Sequence, residues 1–241
     1  MDYTYEDIAK MIDHALLAPT LPMDQLEAGC VLARQYNVAS VCVTPYFVPR
    51  CAELLADTDV VTSTVIGFPL GGHATSTKLR EAETAIDDGC LELDMVVNVS
   101  QILSENWDYV KNDIHAVIQA AHAAGRRVKV IFENCYLQDS HQIRLVEICN
   151  ELNADWIKTS TGFGTGGATM DDLKLMCEHA RDDVQVKAAG GVRDLDTLLN
   201  IRELGVTRIG TSGTVKLLEE CRTRLQLDPI AEQIDSSSSA Y

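Results

Sequence analysis

Eight short runs of apolar and β-branched residues recur along the chain, each followed by a stretch long enough to return as a helix. This alternation limits the fold more than any other feature. Neighbouring parallel strands need a long crossover, and the crossover that packs back onto its sheet is a right-handed helix. The runs span residues 11–16, 39–43, 60–66, 91–97, 128–132, 155–158, 184–188 and 207–210. Between them, residues 105–124 place Trp107, Val110, Ile114, Val117, Ile118 and Ala121 at a helical spacing. Asp139, with Gln142 three residues on, reads as an N-cap, and Thr169 with Asp172 reads the same way. Gly89, Gly125 and Gly205 follow helical stretches, where a left-handed residue closes a helix.

Eight parallel units can close into a barrel or spread into an open doubly wound sheet. No GxGxxG follows the first strand, as a dinucleotide-binding open sheet would show. The glycine-rich turns come late, after the sixth, seventh and eighth strands, where barrels hold phosphate. The expected fold is therefore a (β/α)8 TIM barrel occupying residues 1–241 as a single domain, with an extra helical segment before the first strand. The last residues, 236–241, are serine-rich and read as a flexible tail.

The formal charge is −16, which argues against nucleic acid and anionic lipid as partners. No apolar run approaches the roughly 20 residues of a membrane span, and the first ten residues show no leader pattern. The eight cysteines form no CxxC pair, and no histidine cluster stands at zinc-ligand spacing. They read as reduced, small apolar side chains of a cytoplasmic protein. No metal is expected.

In a barrel the chemistry sits at the carboxyl ends of the strands. The polar residues there are Asp13, Cys42, Asp94, Glu133, Lys158 and Lys187. Lysines ending two consecutive strands are unusual, because burial disfavours their charge. Inward-pointing neighbours would hold two ammonium groups roughly 5 Å apart, and their repulsion at an effective dielectric of 20 is about 3 kcal/mol. That lowers one pKa by about 2 units, giving a nucleophilic amine near neutral pH. The alternative is that one lysine simply pairs with Asp94 or Glu133. Asp94 could hold one lysine charged and relay protons, or be a buried ion-pair partner with no part in catalysis. Glycines at 162, 164, 166 and 167, at 190 and 191, and at 210 and 213 could bring backbone N–H groups to an anion, with Arg193 beside them.

Six segments, in order, carry a family resemblance. They are Ile-Asp-His-Ala-Leu-Leu at 12–17, Ser-Val-Cys-Val at 40–43, Glu-Leu-Asp-Met-Val-Val-Asn at 92–98, Ile-Lys-Thr-Ser-Thr-Gly-Phe at 157–163, Val-Lys-Ala-Ala-Gly-Gly-Val-Arg at 186–193 and Arg-Ile-Gly-Thr-Ser-Gly at 208–213. Together they resemble the deoxyribose-phosphate aldolases, from about residue 8 to 220. The resemblance implies a (β/α)8 barrel that reversibly cleaves 2-deoxy-D-ribose 5-phosphate to acetaldehyde and D-glyceraldehyde 3-phosphate. It implies Lys158 as the Schiff-base lysine, Lys187 as the neighbour that lowers its pKa, and Asp94 as the partner of Lys187 in proton transfer. Asp13 and Cys42 would line the substrate site. Gly162, Gly190, Gly191, Val192, Arg193, Gly210 and Ser212 would hold the phosphate. Tyr241 matches a terminal tyrosine that moves a proton in some members.

No cofactor is implied, because a protonated imine is itself the electron sink. The implied partners are a small phosphorylated sugar and an aldehyde, with a homodimer or homotetramer as the assembly. Ala15, Phe163 and Gly213 depart from the commoner pattern, which often has threonine, lysine and serine there. The competing readings are a Schiff-base aldolase for another phosphorylated sugar, or a non-catalytic barrel that binds sugar phosphates.

Overall fold

The computed structural model describes residues 3–230. Eight strands form: β1 Ile12–Leu16, β2 Ser40–Val43, β3 Val61–Ile66, β4 Glu92–Val96, β5 Arg127–Ile131, β6 Trp156–Lys158, β7 Gln185–Ala189 and β8 Arg208–Thr211. Every boundary falls within one residue of its sequence expectation. All neighbours pair in parallel, and β8 returns to β1, so the sheet is a closed TIM barrel in sequential order. Closure leaves no edge strand and forces alternate residues of every strand inward or outward.

Helices α2 Met23–Tyr36, α3 Val48–Leu55, α4 Thr75–Asp87, α6 Trp107–Ala123, α7 Asp139–Leu152, α8 Met170–His179, α9 Leu195–Glu203 and α10 Thr214–Arg224 return the chain between strands or close it after β8. Their apolar faces meet the outward residues of the strands. This layer, with Ile12, Val41, Leu93, Met95, Val130, Ile157, Val186 and Ile209, is the hydrophobic core. Free cysteines at 30, 51, 90, 149 and 221 are buried within it, as small apolar side chains.

Two further helices lie outside the repeat. The expected N-terminal segment is α1, Tyr5–Ala9, closed at its start by a Thr4–Asp7 capping box. Tyr5 Oη donates to the Tyr36 carbonyl at 2.9 Å, which ties α1 to the end of α2. The other, α5 at Val99–Leu103, was not anticipated. It shortens the helix expected at 105–124, because the chain leaves α5 through Glu105 in the left-handed region, with φ 55°. Asp139 is the first helical residue of α7, not its cap. Gln138 takes that role, its N–H donating to His141 Nδ1 at 3.3 Å. Thr169 does cap α8, accepting from the Asp172 N–H at 3.1 Å. Gly89, Gly125 and Gly205 have φ of 98°, 67° and 100°, the left-handed conformation expected after a helix.

One buried ion pair fixes the carboxyl end of β4. Lys78 of α4 pairs with Asp113 of α6, and its Nζ also donates to the Val96 carbonyl at 2.9 Å. Both side chains are buried, so the pair locks two helices to the strand that carries Asp94. Among the described residues no helix is long and apolar enough to cross a membrane.

Candidate active site

The interior of this barrel is charged where most barrels carry branched apolar side chains. Asp13, Glu92, Asp94, Lys129, Lys158, Lys187 and Arg208 are all buried. They sit on alternate positions of β1, β4, β5, β6, β7 and β8, the positions that closure turns inward.

Lys158 and Lys187 are register partners on adjacent strands. Both donate to the same oxygen, Asp94 Oδ2, at 2.8 and 2.7 Å, and these bonds sum to 5.5 Å, so the two ammonium groups can be no farther apart. Lys187 also donates to Asp13 Oδ2 at 2.6 Å. The other Asp94 oxygen, Oδ1, accepts from Lys129 at 2.9 Å. Lys129 reaches Glu92 at 2.6 Å as well. Arg208 completes the ring by bonding Asp13 Oδ1 at 2.5 Å and Glu92 at 3.2 Å.

These contacts set the two amines apart. Burial lowers the Lys158 pKa; Asp94 opposes this, and the nearby Lys187 charge lowers it further, leaving a net decrease. Burial also pulls Lys187 down, but Asp13 and Asp94 outweigh it, and its pKa ends above the ordinary value. Burial pushes Asp94 up, yet Lys129, Lys158 and Lys187 hold it well below the carboxylate range. The repulsion between lysines expected from sequence is therefore real but secondary. Loss of water around Lys158 is the larger cause. Glu133 pairs with neither lysine. It accepts from the Thr161 N–H at 3.1 Å and from the Thr161 hydroxyl, which anchors the loop after β6.

Above the charged ring a cavity of about 610 Å³ opens at the carboxyl ends of the strands. Asp13, Cys42, Lys158 and Lys187 form part of its lining. Gly162, Gly190, Gly191, Val192, Arg193, Gly210 and Ser212 line it too. Gly190 and Gly191 have φ of 75° and 90°, a conformation that strains other residues. A Cβ on Gly167 would meet the Gly190 backbone at 2.8 Å, so the loops after β6 and β7 pack on each other through bare backbone. Arg193 and Lys216 reach the cavity and have no ion-pair partner among the described residues. In a protein of charge −16, these two cations beside glycine loops leave this side of the cavity locally positive. Cys42 is 2 % exposed, and burial raises its thiol pKa, so it serves as a neutral wall. Asp94 lies beneath the cavity floor. Tyr241 and the 236–241 tail lie outside the described residues.

The profile of the DeoC/LacD family aldolases matches residues 2–222. The chain belongs to that family. A deoxyribose-phosphate aldolase of Rhodopirellula baltica is 60% identical over 240 residues, covering 100% of this chain and 99% of the relative. One of Caldanaerobacter subterraneus subsp. tengcongensis is 47% identical, covering 89% and 93%. Among solved structures, the tetrameric deoxyribose phosphate aldolase of Aeropyrum pernix superposes with a TM-score of 0.84 at 31% identity, covering 92% of this chain and 93% of that one.

Within this DeoC/LacD-family barrel, Asp13, Cys42, Lys158, Lys187 and the glycine-loop residues named above surround one cavity with Asp94 in the charged ring below it, while Glu133 and Gly164, Gly166 and Gly167 stand outside that lining. Four residues escaped the sequence reading: Lys129, Arg208, Trp156 and Lys216. The first three sit at inward positions within or at the start of strands, away from the carboxyl ends where barrel chemistry is expected. Lys129 was open to inference, since Val128-Lys129-Val130 places one lysine opposite two apolar neighbours on a strand. Lys216 lies on α10, and only tertiary structure brings it to the cavity. Phe163 packs edge-on against Phe68 at 5.2 Å, giving this side of the mouth an apolar wall.

Proposed function

We propose that this chain is a deoxyribose-phosphate aldolase, cleaving 2-deoxy-D-ribose 5-phosphate reversibly through an imine on Lys158. The observation that carries the reading is one oxygen, Asp94 Oδ2, shared by two buried lysines of which only Lys158 also has a lowered pKa.

The neutral Lys158 amine attacks C1 of the open-chain sugar, and loss of water gives a protonated imine. The C3 hydroxyl proton passes through water to the Asp94–Lys187 pair as the C2–C3 bond breaks. The bond electrons flow into the imine, giving an enamine and releasing D-glyceraldehyde 3-phosphate. Protonation at C2 followed by hydrolysis releases acetaldehyde and restores the amine. Asp94 carries that proton while Lys187 stays charged beside it, and the pair returns it through water at C2, a role for which Tyr241 is a second candidate at the acetaldehyde methyl. The phosphate, remote from the breaking bond, binds at Gly162, Gly190, Gly191, Val192, Arg193, Gly210 and Ser212, and its binding energy orients the sugar. Asp13 and Cys42 shape the wall beside C1.

The chain works in the cytoplasm, where free thiols stay reduced, as one domain spanning residues 1–241. It pairs with further copies into a homodimer or homotetramer, a reading supported by the tetramer of the Aeropyrum pernix relative. Borohydride added with acetaldehyde should leave an ethyl group on Lys158, read by mass spectrometry of peptides. Acetaldehyde release from deoxyribose 5-phosphate should separate this activity from cleavage of another phosphorylated sugar. Trapping on a different lysine, or no trapping, refutes the assignment.

A further inference from the structure

The buried ring is not electrically balanced. Four cations, Lys129, Lys158, Lys187 and Arg208, face three carboxylates, Asp13, Glu92 and Asp94. Arg127 adds a further charge at the rim, bonding Glu92 at 2.7 Å while its side chain is 46% exposed. One ammonium therefore lacks a full counter-charge, and carboxylate contacts show which. Lys129 reaches three carboxylates, Lys187 two and Lys158 one.

The groups around the ring come from every strand. Asp13 enters from β1, the Cys42 thiol from β2 and the Ser63 hydroxyl from β3. Glu92 and Asp94 enter from β4, with the Cys90 thiol just before it. Arg127 and Lys129 come from β5, Lys158 from β6, Lys187 from β7 and Arg208 from β8. Below them the Trp156 indole, 2 % exposed, lies 5.6 Å from Lys129 Nζ and 5.0 and 5.2 Å from the Arg208 and Arg127 guanidinium carbons. Cations resting on this aromatic floor are held in a dry setting, where partner counts weigh heavily.

We propose, resting on the Schiff-base reading above, that Lys129 is a positioning residue that selects Lys158 as the free amine of the barrel. By holding Asp94 Oδ1 and the Glu92 carboxylate, it leaves Lys158 only a share of one carboxylate oxygen. Remove the Lys129 charge and three cations face three carboxylates, so Lys158 keeps its proton.

The test is the pH dependence of borohydride trapping of acetaldehyde on Lys158, read by peptide mass spectrometry on the full chain. Lys129→Met should raise the midpoint by about one unit or more, with about tenfold less trapping near neutrality and recovery at alkaline pH. Lys129→Arg, which restores the charge, should bring the midpoint back toward that of the unaltered chain. Glu92→Gln removes a carboxylate instead and should lower the midpoint. Opposite shifts from two buried substitutions in one cluster are not what a purely structural role gives. A folded Lys129→Met protein whose midpoint stays or falls overturns the proposal. If that variant does not fold, an unmoved or raised midpoint in Glu92→Gln overturns it equally. Absence of trapping on Lys158 in the unaltered chain at every pH would instead overturn the Schiff-base reading itself.

Discussion

The two faces of the same eight strands are built on opposite rules. The outward face meets the helices through Leu93, Met95, Val130, Ile157 and Ile209, all apolar and fully buried. The inward face carries Asp94, Lys129, Lys158, Lys187 and Arg208, also buried but ionisable. One residue of offset along a strand separates the two. The apolar face gains roughly 25 cal/mol per Å² removed from water and tolerates changes of shape. A buried ion pair adds little net stability, yet removing one partner leaves an uncompensated charge costing about 3–5 kcal/mol. The barrel thus places stability in the outer layer and chemistry in the inner one.

The sharpest way to break this comparison is Lys158→Ala. Cleavage of deoxyribose 5-phosphate should fall to background in an acetaldehyde-release assay. Thermal unfolding should show little loss, because Asp94 keeps Lys129 and Lys187 as partners when Lys158 is gone. A large drop in stability would mean that Lys158 is structural. Leu93→Ala, one residue from Asp94, should do the reverse. It should cost about 3 kcal/mol in chemical denaturation while the folded fraction keeps its turnover.

His14 sharpens the comparison, because it is a titratable group on the helix-facing side. Its Nδ1 lies 2.8 Å from the Thr214 hydroxyl, and burial pushes its pKa from 6.5 down to about 4. The folded state therefore binds fewer protons than the unfolded one between those values. Stability present above pH 6.5 should fall as the pH drops toward 4, by up to about 3 kcal/mol. His14→Gln should flatten that dependence in denaturation curves taken across the range. A smaller effect belongs to Lys187→Leu. With one cation gone from the ring, the acid limb of the pH–rate profile should move up by about 1 unit, or about 1.4 kcal/mol. An unmoved limb would leave burial alone as the cause of the lowered Lys158 pKa.

Much of the molecule was legible beforehand for local reasons. Strand and helix periods are written in consecutive residues, so all eight strands emerged with boundaries within one residue. Lys158 was visible because it ends an apolar run, and Lys187 because it interrupts one, standing inside β7 rather than at its end. Capping was read less well. Asp139 is the cap that residue type favours, yet in the folded turn Gln138 stands at that position and its N–H meets His141. Lys129 stands in the middle of β5 rather than at its carboxyl end, and only its alternation with Val128 and Val130 marks it as inward. Lys216 and the pairing of Glu133 with Thr161 had no local signature, since both depend on how loops from different units pack.

The sequence alone determined the barrel, its register of inward and outward residues, and the set of groups able to do amine chemistry. It could not determine which lysine is free. That depends on how many carboxylates each ammonium meets through space and how much water it loses. Asp94 and Glu92 meet Lys129 between the neighbouring strands β4 and β5, but Asp94 reaches Lys187, and Asp13 reaches Lys187 and Arg208, only in the closed barrel. Closure brings residues nearly 200 positions apart, such as Asp13 and Arg208, within 2.5 Å of each other, and protonation follows from that proximity.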